Sequence, residues 1–224
     1  MPVYPLSRMN DAVAEAMIRE FTRVQAAPFV PEFRLYLADK LTPLWQATEW
    51  QAAGPQPPPF WAFAWPGSQA LARFLVDTPA LVKGKRVLDF GAGGGLAAIA
   101  AASQGASHVL AIDLDPVATV AQRMNAALNG VTFDSATADV IGGQVSQEVL
   151  LVGDVCYERE ASERIIPWLR DLATRGTGVL LADPGRTYAP SDGLELLAVY
   201  DVPTLRELES VDQKRTRLWR LLSG

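Results

Sequence analysis

The segment that most constrains this chain is the run from Arg86 to Ala102. Arg86-Val87-Leu88-Asp89-Phe90 reads as a buried strand that enters a turn holding Gly91, Gly93, Gly94 and Gly95. Leu96 to Ala102 then reads as a helix of small residues ending near Gly105, and His108 to Asp113 as the next strand. Strand, glycine turn, helix and second strand make the crossover unit of a parallel sheet. The alternation continues. Asp115-Pro116 opens a helix carrying Val117, Val120, Ala121, Met124 and Leu128 that stops at Gly130. Val131 to Phe133 predicts a short strand and Val149 to Asp154 another, followed by a helix bearing Ile165, Ile166, Trp168, Leu169 and Leu172 and a strand from Gly178 to Asp183. Strands this apolar need helices on both faces of the sheet. The tail departs from the pattern, because Leu197 to Val202 and Arg215 to Leu222 leave little room for a helix between them. They are expected to pair antiparallel and finish the sheet. The expected class is α/β: a Rossmann-like, mostly parallel sheet with an antiparallel C-terminal strand.

The first part of the chain is organised differently. From Asn10 the residues Ala14, Met17, Ile18, Phe21 and Val24 recur at helical spacing, with Asn10 as cap and Pro28 as stop. Phe33 to Leu37 alternates as a short strand, and Pro55, Pro57, Pro58 and Pro59 then crowd one stretch. After Trp65-Pro66, a helix with Leu71, Phe74 and Leu75 on one face runs to Thr78-Pro79. Two units are expected: residues 1–58, an N-terminal helical extension packed on the core, and residues 59–224, the main domain.

Composition removes several function classes. A net charge of -5 without any long Lys/Arg block lacks the footprint of a nucleic-acid binder. With Cys156 the only cysteine and His108 the only histidine, neither a disulfide framework nor a His/Cys metal site is expected. Met1 to Leu6 lacks the basic and apolar regions of a secretory signal, no apolar run is long enough for a bilayer, and Asp11, Glu15 and Glu20 argue against a transit peptide. A cytoplasmic monomer with no membrane association is the expectation.

The glycine turn has to be read by frame. A dinucleotide fingerprint starting at Gly91 reaches Gly93 and then meets Leu96 where the third small residue belongs, which counts against a nicotinamide-dependent oxidoreductase. Starting at Asp89, the frame reads Asp-x-Gly-x-Gly-x-Gly through Gly91, Gly93 and Gly95 without a miss. That frame resembles motif I of the seven-strand, class I methyltransferases, which implies S-adenosylmethionine as cofactor. Asp89 would supply negative charge near the methionine moiety, and the glycines would let the backbone approach closely. Asp113, closing its strand, would take the ribose hydroxyls or cap the next helix, a task Asp115 suits better. Asp139 would accept from the adenine amino group or serve only as a loop acid.

The strand ending at Gly153 continues as Asp154-Val155-Cys156-Tyr157. This lacks the Asn/Asp-Pro-Pro-Tyr/Phe of enzymes that methylate planar nitrogens, and it resembles the Asp-x-x-Tyr protein lysine methyltransferases. Pro59 to Gly67, Asn125 to Gly130 and Ala182 to Tyr188 extend the likeness. Together they look like the electron transfer flavoprotein β-subunit lysine methyltransferases, in a bacterial form. The resemblance implies lysines of that β subunit as acceptor, with Asp154 receiving and orienting the lysine and Tyr157 lining its channel. Asp154 could instead be a buried strand-end carboxylate satisfied by backbone amides, and Tyr157 a packing residue. Trp65 would close over the cofactor or sit in the core. Asp183, Arg186 and Tyr188 would meet the protein substrate on one rim, unless Arg186 anchors its loop through a local carboxylate. Another protein, such as a ribosomal one, or a small molecule stays open as acceptor, and so does a non-catalytic binding role.

Overall fold

The computed structural model describes residues 10–40, 43–46, 49 and 58–223. In chain order they form α1 (Asp11–Phe21), β1 (Arg23–Ala27), β2 (Val30–Leu37), a 3-10 turn (Phe60–Ala62), α2 (Pro66–Asp77), a second such turn (Pro79–Leu81), β3 (Arg86–Phe90), α3 (Leu96–Ser103), β4 (His108–Asp113), α4 (Pro116–Leu128), β5 (Asp134–Thr137), β6 (Val149–Gly153), α5 (Arg159–Thr174), β7 (Gly178–Asp183), β8 (Leu194–Pro203), α6 (Arg206–Glu209) and β9 (Gln213–Leu221).

Strands β3 to β9 build one seven-stranded sheet in the order β5-β4-β3-β6-β7-β9-β8. The pairs among β3 to β7 are parallel, and β9 runs antiparallel to both β7 and β8. This is the expected fold. The chain enters at β3, moves outward through β4 to β5, and returns to the other side of β3 as β6. That reversal opens a crevice at the carboxyl ends of β3 and β6, where open α/β sheets bind ligands. Consecutive strand residues serve opposite faces. Val87, Val109, Leu151 and Leu180 pack with Leu71, Leu75 and Ile99 from α2 and α3, whereas Leu88, Leu150, Val152 and Leu181 pack with Ile165, Trp168, Leu169 and Leu172 of α5.

Local signals set the helix starts. Asn10 Oδ1 accepts from Val13 N at 2.9 Å, and Asp115 Oδ1 from Val117 N at 2.8 Å, so each side chain satisfies a first-turn donor. Pro66 and Pro116 occupy the first helical positions of α2 and α4, where no partner for an N–H is needed.

Three local expectations fail. Helix α1 ends at Phe21, and Val24 lies on β1, which pairs with β2 in the register Val24↔Tyr36. The helical spacing of Val24 is coincidental, and strand pairing overrides it. Residues 131–133 form no strand. Instead β5 begins at Asp134 and pairs with Leu110 to Asp113, while Val131 and Phe133 pack against the core. An edge strand with a single neighbour tolerates the polar sequence that hides it from hydropathy. Finally, the one-turn helix α6 fits between β8 and β9.

The amino-terminal elements share the main core. Ala27, Val30, Phe33, Leu35 and Leu37 of the β1–β2 hairpin join the cluster of α2 and α3, and Ala14, Met17 and Ile18 of α1 pack on Val117, Val120, Ala121 and Met124 of α4. The fully buried Gln69 ties three segments together. It accepts from Phe29 N at 2.9 Å and donates to the carbonyls of Ala64 at 2.7 Å and Pro203 at 3.1 Å. Pro55 and Pro57, and the reading of Met1 to Leu6, lie outside the described residues. Among the described residues no helix is long and apolar enough to cross a membrane.

Candidate active site

The glycine turn sits at the sheet reversal. Gly93 has φ +51°, a region disfavoured for residues with a Cβ, and its N–H donates to Asp113 Oδ2 at 2.8 Å. At Gly94 a Cβ would lie 2.7 Å from the Trp61 carbonyl oxygen, so the turn at Phe60–Ala62 can press against the loop only because glycine is there. Helix α4 holds the loop from the other side. Gln122 donates to the Gly93 carbonyl at 3.1 Å and Asn125 to that of Gly94 at 2.9 Å. Asn125 Oδ1 also accepts from Tyr36 N at 2.8 Å, while Asn129 accepts from Arg34 N at 2.9 Å and donates to its carbonyl at 2.7 Å. Asn125 and Asn129 lie four apart on a helix, and Arg34 and Tyr36 two apart on a strand, so each pair shares one side of its element. The segment Asn125 to Gly130 therefore clamps the hairpin to the glycine loop, a function no local signal indicated.

Three carboxylates surround the loop. Asp89 is buried, with Oδ2 accepting from Ala98 N at 2.9 Å in the first turn of α3, and burial pushes its pKa up to about 7. Asp113 is also raised by burial, against the opposing pull of the Asp115 and Gly93 N–H groups. Asp115 caps α4, which leaves Asp113 free of that task, and burial moves Asp115 up to about 6. Among the described residues none of the three pairs with a cationic side chain. A cationic cofactor fits such a site, because it relieves carboxylates that burial penalises, and Asp113 keeps lone pairs for hydroxyl donors. Asp139 follows β5 at the same end of the sheet, half-exposed and bonded to Arg164 at 2.8 Å, which holds its pKa below the ordinary carboxylate value.

Beyond β6 lies a second group of residues. Asp154 has φ 56°, a left-handed conformation uncommon outside glycine. Its Oδ2 accepts from Gly67 N at 2.5 Å, and its Oδ1 from Arg186 Nη2 at 3.0 Å. Burial raises its pKa to about 6, and Arg186 opposes the shift. Tyr157 is half exposed, its ring 5.6 Å from that of Phe60, and partial burial and Glu158 push its hydroxyl up to about 12. Trp65 is partly buried and packs against the cluster of α1 and α4, its ring 6.1 Å from that of Phe63. It donates to the Phe60 carbonyl at 2.8 Å, and the Arg186 guanidinium stands 5.9 Å above its ring.

The expected substrate rim needs correction. Asp183 has no exposed surface; its Oδ1 accepts from Gly185 N at 2.7 Å and Arg186 N at 2.6 Å. It shapes the turn that presents Arg186 and has no surface with which to meet a protein. Arg186 is anchored, but not through a local carboxylate: its partners are distant in sequence, Asp154 and Glu209, the latter at 2.5 and 3.1 Å. Glu209, with a side chain only 4% exposed, carries no local signal that marks it. Tyr188 lies 5.5 Å from the Arg159 guanidinium and lines a cavity of ≈ 480 Å³ with Ser162 and Ile166. Cys156 is buried and its thiol pushed up to about 12, so it stays a neutral packing residue. His108 is at the opposite end of the sheet, 2.9 Å from Asp134. Among the described residues no acidic, His or Cys cluster could hold a metal ion.

The sequence profile described as ribosomal protein L11 methyltransferase (PrmA) matches residues 71–153. Over most of its length the chain has closer relatives. The electron transfer flavoprotein beta subunit lysine methyltransferase of Xenopus laevis is 39% identical over 209 residues, which is 92% of this chain and 80% of that protein. The chain belongs to this family. The Mus musculus protein of the same name is 35% identical over 93% of this chain and 84% of its own. Among solved structures, magnesium protoporphyrin IX methyltransferase from Synechocystis PCC 6803 with bound S-adenosylhomocysteine aligns over 70% of this chain and 81% of its own, with a TM-score of 0.51. At 18% identity that likeness attests to the fold alone. Membership in the family bears out the enzyme class and cofactor expected from the glycine frame: this is an S-adenosylmethionine-dependent methyltransferase.

Proposed function

We propose that the enzyme methylates lysine side chains of the electron transfer flavoprotein β subunit, as a monomer in the bacterial cytoplasm. The names of its relatives supply the acceptor. The observation that carries the chemistry is Asp154, a left-handed, buried carboxylate at the sheet reversal, with the half-exposed Tyr157 beside it. The single buried, unpaired cysteine agrees with a reducing compartment.

When bound, S-adenosylmethionine supplies a methyl group on a positively charged sulfur. In this reading Asp89 offers negative charge toward the methionine end, Gly91, Gly93 and Gly95 let the loop approach closely, Asp113 takes the ribose hydroxyls and Asp139 the adenine amino group. Trp65 covers the site. Residues 1–58 act as an extension whose hairpin steadies the loop through Asn125 and Asn129.

The acceptor amine needs a lone pair, and a lysine, whose ordinary pKa is about 10.4, is protonated at neutral pH. Arg186, 3.0 Å from Asp154, offsets the pull of that carboxylate toward the ammonium form. Tyr157 and Cys156, both pushed up to about 12, hold their own protons and are not bases. In this reading the lysine proton leaves to solvent before transfer. Asp154 accepts an N–H of the neutral amine and directs its lone pair along the crevice, Tyr157 lines the channel, and Arg186 and Tyr188 meet the surrounding protein. The bulk of the work is alignment and exclusion of water.

The match to ribosomal protein L11 methyltransferase stops at Gly153, one residue before Asp154, and so bears on the cofactor half and not on the acceptor. The deciding experiment incubates the purified enzyme with electron transfer flavoprotein and labelled cofactor, then maps the modified residues. Methylated lysines on the β subunit support the reading; label only on another protein or a metabolite overturns it.

A further inference from the structure

Arg186 is the only cationic group bonded to Asp154 among the described residues, and its own placement depends on Glu209. Glu209 stands on α6, in the connection between β8 and β9, a segment with no motif character. Both of its oxygens are used: Oε1 accepts from Arg186 Nη2 at 2.5 Å and Oε2 from Arg186 Nη1 at 3.1 Å, with Lys214 Nζ of β9 3.4 Å from Oε2. Arg186 Nη2 is shared between Glu209 and Asp154, so the guanidinium cannot turn without breaking both contacts. The contacts form one chain through five segments: Lys214, Glu209, Arg186, Asp154 and the N–H of Gly67. Burying two carboxylates with one guanidinium is costly against an apolar alternative, which makes such a cluster weak evidence for stability alone. Its place at the catalytic end of the sheet gives it another use.

We propose that Glu209 is a positioning residue for methyl transfer, fixing the Arg186 guanidinium against Asp154 so that this carboxylate keeps one orientation toward the acceptor amine. The inference rests on the proposed role of Asp154. Glu209 acts only through Arg186 and touches neither substrate nor cofactor. The groups facing Asp154 are Arg186 and Asp183 from the β7 end, Cys156 on its own loop, and the backbone of Gly67 on α2. Those facing Glu209 are Arg186, Lys214 and Asp183. Removing the Glu209 charge while keeping its shape leaves the whole guanidinium charge to Asp154, whose pKa then falls. Removing the side chain frees Arg186 to swing away, and the pKa of Asp154 rises.

The test compares Glu209→Gln, Glu209→Ala and Arg186→Lys, with the Glu209→Gln/Arg186→Lys double variant, in the full-length enzyme. Cofactor affinity is measured by calorimetry, and kcat and KM on whichever protein the wild type methylates. The expected result is a loss in kcat on the order of ten- to a hundredfold at unchanged cofactor affinity, with the double variant no worse than the poorer single. Carbon-13 NMR titration of the Asp154 carboxyl, which needs no substrate, should move down in Glu209→Gln and up in Glu209→Ala. Full kcat in Glu209→Gln, or an Asp154 titration unmoved in both variants, overturns the proposal. Should the wild type methylate some other protein, the acceptor assignment fails while the same comparison on that protein still decides the role of Glu209.

Discussion

The N–H of Gly67 meets the carboxylate of Asp154 at 2.5 Å, across a gap that admits no side chain. A Cβ built on Gly67 would lie 2.5 Å from Asp154 Oδ2 and 2.6 Å from the Ala182 carbonyl oxygen. Since the second contact is backbone at the end of β7, it cannot give way as a flexible side chain would. Trp65-Pro66-Gly67 thus reads physically: an extended residue, a proline suited to the first helical position, and a glycine that brings the α2 amino terminus onto the Asp154 carboxylate. Gly67→Ala should cost about 1–3 kcal/mol by overpacking, seen as a lowered melting temperature, and should abolish most methylation by displacing Asp154. A variant of normal stability and activity would show that this close approach is dispensable.

Asp154→Asn separates charge from shape. Asparagine tolerates left-handed backbone at least as well as aspartate, and its amide oxygen can still accept from Gly67 N. The variant should fold and bind cofactor normally, yet lose about a hundredfold or more in kcat, because Arg186 is left without half of its countercharge and the amine without its acceptor. Calorimetry beside steady-state kinetics checks this. A parallel loss of cofactor affinity would instead place Asp154 in the cofactor site.

How much of this was legible in the sequence follows from how far apart the partners lie. The cofactor half is written locally: Asp89 to Gly95 is one contiguous frame on a strand–turn–helix unit, and Asp115 beside Pro116 identifies its own role as a cap. Asp154 and Tyr157 can be located because the strand before them is an apolar run. Their partners cannot. Gly67 is 87 residues away, Arg186 32, and Glu209 a further 23 beyond Arg186, so only folding brings them together. The rim placement of Asp183 fails because a strand-end acid looks the same in sequence whether its side chain turns outward or caps its own loop. The polar edge strand β5 and the coincidental spacing of Val24 mislead for the same reason: sheet pairing answers to neighbours that local pattern does not contain.

Asn125 and Asn129 should differ in cost although both clamp β2. Asn125→Ala leaves the Tyr36 N–H and the Gly94 carbonyl without partners in a buried setting, for about 2–4 kcal/mol, and loosens the glycine loop enough to weaken S-adenosylmethionine binding. Asn129→Ala breaks bonds at a partly exposed site and should cost less than about 1 kcal/mol, with cofactor affinity intact. Denaturant unfolding and calorimetry on both variants check the ranking. Equal effects would mean that the hairpin, and not the loop, is what the clamp secures.

The raised carboxylates link cofactor binding to pH. Asp89 holds its proton to about 7 in the folded protein and loses it near 3.8 when unfolded, so its contribution to stability is complete below about 3.8 and is lost as pH rises through about 7. Asp115 and Asp154 act in the same sense, with windows closing near 6. The lowered groups Glu32 and Asp139 change protonation below their ordinary values of 4.5 and 3.8, and so leave the range above 5 untouched. Without ligand, the melting temperature should fall between pH 5 and pH 7.5. A cofactor ammonium beside Asp89 stabilises the carboxylate and expels its proton, so between pH 6 and pH 7 affinity should rise with pH by up to about tenfold per unit. Titration calorimetry in two buffers of different ionisation enthalpy reads that proton directly. Release of a fraction of a proton near pH 7 that disappears in Asp89→Asn places the cation beside Asp89, whereas no release in the wild type would mean that the methionine end of the cofactor lies elsewhere.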